Sequence, residues 1–589
     1  MTAVIWLVIT VLVLFSAGYI GYSRYLAQFV ELDEANETPA HKYEDGQEYV
    51  PAKKPVLLGH HYASIAGGAP IVGPITAGVV WGWVPALLWI AIGNPLMGSV
   101  HDFVSLSGSL RHEGKSIGYV IGQYVGQRGK DMLLWFAFLT IILVVAVFAL
   151  VVAIVFDAYP SAATASLIYI ALALLFGAYL YQLDLPFIPG TAAFVVLMFA
   201  GVWVGIQYPI TLVGSNGSTF LPTILGSANI SAWVPVVLIY AFIASVLPVW
   251  MLLQPRDYLS SFLLYAGVGG ALLAIIVGTL FATSAQPLTI NISAYYGFMG
   301  TAGLPLFPLL FVTIACGTIS GFHSLVSSGT TAKQLNTETD ARLIGYGGML
   351  GEGLLATVAL STVAVAGVTQ GGGIGRALPN FASGGGVILS SFGIPQAYGA
   401  PFMALVLVSF LLTSTDTAVR LGRYLFEEIG GTEKSTIAEV SANRYANGGI
   451  QIVVAYLLVI SGTWGDLWPL FGGANQLLAA LALLTATVWL ANWKADKQLI
   501  STGVPMAIMA AITICALLYL ALWQNLVQKL LNGSWMAQAS ALDVASTVVQ
   551  ILIALVLVYL GVSLIRLGYS NIGEARQETA GAAGGTSDD

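Results

Sequence analysis

Charge is what this chain has least of: 8% of its 589 residues are Asp, Glu, Lys or Arg, against 57% that are hydrophobic. Soluble domains carry roughly 25% charged residues, so a water-soluble fold is excluded and an all-α polytopic membrane protein is expected. Cysteine is nearly absent too. Cys316 and Cys515 lie in separate apolar runs, which leaves no disulfide framework and no metal-ligand spacing. The net charge of −7 is spread over short loops and the tail and points to no nucleic-acid partner. HExxH and GxSxG patterns are missing, so an intramembrane hydrolase has no support. The run GSLRHEGKS, from Gly108 to Ser116, imitates a phosphate-binding loop but has the wrong glycine spacing and follows a membrane helix. No enzyme activity and no cofactor are expected. The apolar N-terminus lacks a basic n-region and reads as a retained span.

Apolar runs of membrane length, by contrast, are abundant. A crossing takes about 20 apolar residues, and such runs fall near 3–23, 57–81, 85–110, 132–156, 162–182, 187–207, 233–253, 258–281, 305–328, 346–368, 398–416, 445–462, 466–491, 504–523 and 544–566. About fifteen transmembrane helices are therefore expected. The Gly/Ser-rich segment 377–392 is too short to be counted and reads as a re-entrant or half-helix. With the N-terminus outside and the C-terminus cytoplasmic, all of the 21 Lys and Arg except Arg376 and Lys529 fall inside, as the positive-inside rule requires. The cytoplasmic pieces are too small for a soluble catalytic or signalling domain. Four regions follow: a first helix and cytoplasmic segment (1–56), a core (57–416), C-terminal helices (417–570) and a small, polar tail expected to be disordered (571–589).

One stretch has the length of a span and the wrong chemistry for a plain one. Leu57 to Trp81, LLGHHYASIAGGAPIVGPITAGVVW, contains Gly67, Gly68, Pro70 and Pro74 together with His60 and His61. Irregular backbone at membrane depth is tolerated only where protein buries it or a solute pathway runs beside it. A second interruption is expected around Pro248, in SVLPVWMLLQPRDY, because proline frees carbonyls inside the membrane. The following Arg256-Asp257 reads as a surface ion pair of little worth. The two interrupted segments run in opposite senses, the plan of inverted five-helix repeats with two discontinuous helices.

Ionisable groups inside spans cost ~2.5 kcal/mol or more, which makes a shortlist of His60, His61, His101, Asp102, His323, Glu352 and, at a helix end, Asp416. His60 and His61 are neighbours and point about 100° apart on a helix. One can serve the site and the other the packing. Asp102 shares a helix face with Ser105. The run from Gly317 to Leu335 surrounds His323 with hydroxyls, among them Ser327 and Ser328, which suit either a sodium ion or contacts between helices. Trp464 and Trp468 suit the aromatic belt at the membrane surface, and Asn475-Gln476 reads as a contact between helices.

Six runs are familiar in this order: DGQEYVPAKKPVLLGHHYASIAGGAPIVGP (45–74), NPLMGSVHDFVSLSGSLRHEGKSIG (94–118), LPVWMLLQPRDYLSSF (247–262), PLFPLLFVTIACGTISGFHSLVSSGTTAKQL (305–335), STDTAVRLGRY (414–424) and FGGANQLLAA (471–480). Together they resemble the carbon starvation protein A family. The resemblance implies a secondary carrier of the bacterial inner membrane whose core is similar to the amino acid-polyamine-organocation superfamily. Its solute would be short peptides or, as the alternative, pyruvate in symport with protons. A channel or a nutrient sensor is the reading from another class. The expected partners are that small solute and membrane lipids. The carboxylate common to both solutes is expected at freed N–H groups around Ala66, Gly67, Gly68, Ala69, Pro70 and Pro248. Proton coupling is expected through His60 or His61, assisted by Asp102 or Glu352, with sodium at Ser327 and Ser328 as the competing form. By helical rise the His pair lies about a dozen ångströms to the cytoplasmic side of Gly68, a place for an inner gate or proton exit.

Overall fold

The computed structural model describes residues 3–46, 49–214, 217–248, 251–280, 288–366, 374–431, 435–460, 464–493 and 497–584. Its helices of eight or more residues are α1 (Ile5–Phe29), α2 (Lys54–Ile65), α3 (Ala69–Trp81), α4 (Trp83–Arg111), α5 (Ile117–Ala158), α6 (Pro160–Tyr181), α7 (Phe187–Gln207), α8 (Ala228–Val246), α9 (Leu253–Leu280), α10 (Leu306–Thr313), α11 (Gly321–Gly329), α12 (Glu338–Val365), α13 (Ile374–Ser390), α14 (Gln396–Gly430), α15 (Arg444–Ile460), α16 (Leu467–Trp493), α17 (Leu499–Leu530) and α18 (Ala541–Gln577). Among the described residues no strand forms beyond isolated bridges. Twelve helices are long and apolar enough to cross a membrane, or thirteen when α2 and α3, bent by 48° at their junction, count as one span.

Hydrophobicity all round a helix predicts burial on all sides, and this sorts the bundle. The windows of α5, α14 and α16 are each 94% buried, whereas that of α7 is 17% and that of α18 is 28%. The first three form the middle of the bundle, and α7 and α18 lie on its periphery. Their surroundings include α12, which packs against α3, and α11, which packs against α4 and α16.

Several expectations change. The span expected to stop at Asp416 runs on as α14 to Gly430, because Asp416, Thr417 and Arg420 are buried within the protein and do not mark a membrane boundary. The tail expected to be disordered from Asn571 continues the last helix to Gly584. Asn571 is anchored there: its amide donates to the carbonyl of Tyr124 at 2.9 Å. Residues 585–589 lie outside the described residues. Trp468 does not face outward from the protein as a belt residue would; it is 4% exposed and packs edge-on against Phe471. The Trp464 side chain lies outside the described residues.

The segment before α2 is tied to the turn after α11. Val50 and Ala52 donate their N–H groups to the carbonyls of Lys333 and Gln334 at 3.2 and 2.9 Å. Glu338 accepts from the Asp33 N–H at 2.9 Å and pairs with Arg111. Lys54 reaches Asp340 at 2.5 Å.

Candidate functional site

The first interruption follows from two prolines. Pro70 has no N–H to give the carbonyl of Ala66, four residues earlier, and Pro74 has none for Pro70. The chain leaves the helix at Ala66 and re-enters it at Ala69, with Pro70 in the first turn where a missing N–H costs nothing. Ala66 to Pro70 are all buried. A side chain at Gly67 would lie 2.9 Å from Ser414 Oγ and 3.2 Å from the Phe148 ring, so the break packs directly on α14 and α5.

A second interruption lies opposite the first, between α10 and α11. Residues Ile314 to Ser320 leave the helix and fold into a turn, with the Thr318 and Ile319 N–H groups both given to the Ala315 carbonyl at 3.1 and 2.9 Å. Three amide side chains serve the freed backbone. Asn475 Oδ1 accepts the Phe322 N–H at 2.9 Å, and its Nδ2 donates to Ser320 Oγ at 3.0 Å. Gln476 donates to the carbonyls of Phe311 and Ile314 at 2.9 and 3.3 Å. Asn94, in a stretch of π-helix within α4, donates to the Gly317 and Met349 carbonyls at 3.1 and 2.9 Å. The two breaks touch: a Cβ on Gly317 would lie 3.7 Å from the Pro70 Cα, and just beyond the first break a Cβ on Gly73 would strike the Thr313 carbonyl.

Beside the second break runs a chain of ionisable groups with no exposure to solvent. His101 Nδ1 meets Asp102 Oδ1 at 2.7 Å, and His323 Nδ1 meets Asp102 Oδ2 at 2.9 Å. With both imidazoles donating, the two carboxylate oxygens are satisfied. The far nitrogen of His323, Nε2, then faces Glu352 Oε2 at 3.2 Å. Among the described residues neither that nitrogen nor either oxygen of Glu352 has a regular hydrogen bond. Cys316 Sγ, a ring nitrogen of His323 and a Glu352 oxygen lie within 4.8 Å of one another, a proximity the sequence spacing hides. The sulfur is already engaged by Ser320 and Asn475, both at 3.3 Å, and belongs to the bonding of the break.

A second buried cluster lies on the other side of α2. Arg256 is fully buried and pairs with Asp416 through both of its terminal nitrogens, with Asp257 at 2.8 Å and with the Tyr240 hydroxyl at 2.8 Å. His60 Nδ1 lies 3.4 Å from Asp257 Oδ2. The expected surface pair of Arg256 and Asp257 is therefore a buried junction of α8, α9, α14 and α2.

Comparison with known proteins fits this arrangement. The family described as carbon starvation protein CstA matches residues 3–371 and 367–516, which include both breaks and both clusters. The chain belongs to this family. It is 33% identical to the peptide transporter CstA of Helicobacter pylori, covering 86% of this chain and 81% of that one. It is also 33% identical to the pyruvate/proton symporter BtsT of Escherichia coli, covering 87% and 81%. Among solved structures it is similar to a manganese transporter mutant of Eremococcus coleocola, at 14% identity and TM-score 0.43 over 90% of this chain and 99% of that one.

For this member of the CstA family, the residues expected from sequence divide into those brought together and those set apart. Ala66, Gly67, Gly68, Ala69 and Pro70 form the first break. Pro248 does not join them. It is exposed and follows the end of α8, and residues 249 and 250 lie outside the described residues. It does leave the Ala244 carbonyl without a helical donor, and Arg420 supplies one at 2.9 Å. Asp102 and Glu352 lie in one chain, linked by His323. His61 is buried and, among the described residues, makes no hydrogen bond to a carboxylate of either cluster; its Nδ1 lies on Thr331 Oγ1 at 2.8 Å and its ring packs against Gly348. Ser328 Oγ donates to Ser324 and accepts from the Ile117 N–H, a contact between helices, while Ser327 Oγ is buried without a partner. Sequence reasoning missed Asn94, whose neighbour Pro95 was the only local signal.

Proposed function

We propose that the chain is a secondary active carrier that imports a small carboxylate-bearing solute, short peptides first, by alternating access coupled to proton entry. The observation that carries this reading is the 3.2 Å approach of His323 Nε2 to Glu352 Oε2 beside two touching helix breaks. One proton completes that contact, carried either by the carboxyl or by the imidazole, and the Asp102 carboxylate steadies a charged His323. The solute carboxylate lies at the N–H groups of Gly68 and Ala69 in the first break and of Cys316 and Gly317 in the second. His60, next to Asp257, is the proton exit. His61 has a packing role.

The relatives' names support both solutes, peptide as the main reading and pyruvate as the alternative. Being named as transporters, they also favour a carrier over an enzyme. Proton coupling is favoured over sodium because the contact between His323 and Glu352 lacks the proton that would complete it, whereas of the two expected sodium ligands Ser328 is already committed to the Ser324 carbonyl and the Ile117 N–H. In this reading the crossings are the twelve long helices, the bent pair α2–α3, the pair α10–α11 and α15. They place the N-terminus outside and the C-terminus in the cytoplasm of a bacterial inner membrane. The pairs α2–α3 and α10–α11 then run in opposite senses and each opens one inverted repeat, with the α6–α7 hairpin an addition to the first.

The test is uptake of labelled dialanine and labelled pyruvate by purified protein in vesicles, under an imposed proton or sodium gradient. Uphill accumulation of one of them under the proton gradient is expected. Flux that never exceeds equilibrium would mark a channel and refute the reading.

A further inference from the structure

Below the first break, on the side of the bundle that carries the basic loops, two cavities adjoin. The wider, of about 450 Å³, is lined by Lys115 and Lys333 but also by Glu427 and Glu428. The narrower, of about 60 Å³, shares Gly329, Lys333, Leu421 and Tyr424 with it and reaches inward to His60 and Ser64. Its charged lining is His60, Lys333 and Arg420, with no carboxylate. Asp257 lies behind His60, and Asp416 is taken up by Arg256, so both acids of the neighbouring helices face the buried cluster.

Two polar groups in this neck are unanswered. Thr417 Oγ1 and Arg420 Nε are buried and have no hydrogen-bond partner among the described residues, although Arg420 uses its Nη2 to cap the Ala244 and Leu247 carbonyls. The side chains of both are more than nine-tenths buried, at 6% and 8% exposure. A buried donor without a partner costs about 1–3 kcal/mol, so such groups mark a place that a ligand completes. The neck has room for about two waters at ~30 Å³ each, the bulk of one carboxylate, and the wider cavity takes the rest of a larger molecule.

We propose that this neck is a second carboxylate site, in which Arg420, Lys333 and Thr417 receive the transported solute after it leaves the breaks and before it enters the cytoplasm. The proposal rests on the carrier reading above. It assigns the neck a mono-anionic carboxylate of a small organic acid or peptide, held by two cations and one hydroxyl. The wider cavity, with acids among its lining, holds no such preference, which sets the direction of release.

The experiment compares the KM for pyruvate and for dialanine at the two faces, using right-side-out and inside-out membrane vesicles. Lys333→Gln and Thr417→Val are the test variants, because Arg420→Gln also removes two helix caps. Loss of one charge-assisted contact predicts a cytoplasmic-face KM raised about tenfold relative to the outer-face KM. An unchanged ratio of the two KM values, in variants that still transport, overturns the second site and leaves the carrier reading intact. A wild-type protein that carries neither solute from either face overturns both.

Discussion

Glu352 and Arg256 show how differently two buried charges can be handled. Arg256 is answered by two aspartates and a tyrosine, whereas Glu352 has only the edge of His323. A fully paired ion in a low-dielectric interior holds helices together, and removing one partner strands the other at a cost of about 3–5 kcal/mol. Asp416→Ala is therefore expected to lower the thermal unfolding midpoint of the detergent-solubilised protein sharply. A midpoint unchanged within error would show that the pair is not formed. His60 and His61 separate in the same way, one beside Asp257 and partly exposed, the other sealed against Thr331. On the proposed reading His60→Gln slows proton-driven uptake while leaving stability unchanged. His61→Ala, which opens a buried cavity, lowers stability first, and parallel uptake and melting measurements distinguish the two. Adjacency in the sequence already implied that the two histidines would diverge. The choice between them depended on Asp257 and Thr331, about 200 and 270 residues away, and no local pattern carries that.

At the scale of elements, the first break was legible and the second was misplaced, for one physical reason. Pro70 and Pro74 each remove a helical hydrogen bond in the middle of an apolar run, and nothing else in that stretch competes with the inference. Pro248 gives the same signal but stands at a helix end, where Arg420 and Arg423 of α14 cap the exposed carbonyls. The interruption that the structure sets beside the first, Ile314 to Ser320, contains no proline. It is held open by Asn475, Gln476 and Asn94 from two other helices, so its signal was three amides scattered over the sequence. Its hydroxyls and His323 drew attention to the right run, but as the end of a span. Asn475→Leu should leave the Phe322 N–H unanswered and the Ser320 hydroxyl with the Cys316 sulfur as its remaining side-chain partner, and cost about 1–3 kcal/mol, read as a fall in the melting midpoint. Gly73→Val should block the contact with the Thr313 carbonyl and abolish uptake in folded protein. Normal uptake by that variant would show that the two breaks need not touch.

Over the whole molecule, charge and hydropathy were enough to give the all-helical membrane class, and the distribution of basic residues supplied the proposed orientation. The ends of spans were less readable. Asp416 and Arg256 look like membrane boundaries in sequence because their partners are 160 residues apart. What the fold assembles is a closed junction of two breaks, a buried chain from His101 to Glu352 on one side, and a cationic neck leading away on the other. On the proposed reading these are the solute site, the proton site and the exit of one carrier. The central claim is that the proton carried with the solute is held at the contact between His323 and Glu352, and the most direct measurement uses Glu352→Gln in vesicles. Under an inward proton gradient the wild type should accumulate the solute above equilibrium. The variant should fill only to equilibrium and yet exchange labelled for unlabelled solute as the wild type does. Accumulation by the variant at the wild-type level would contradict the account.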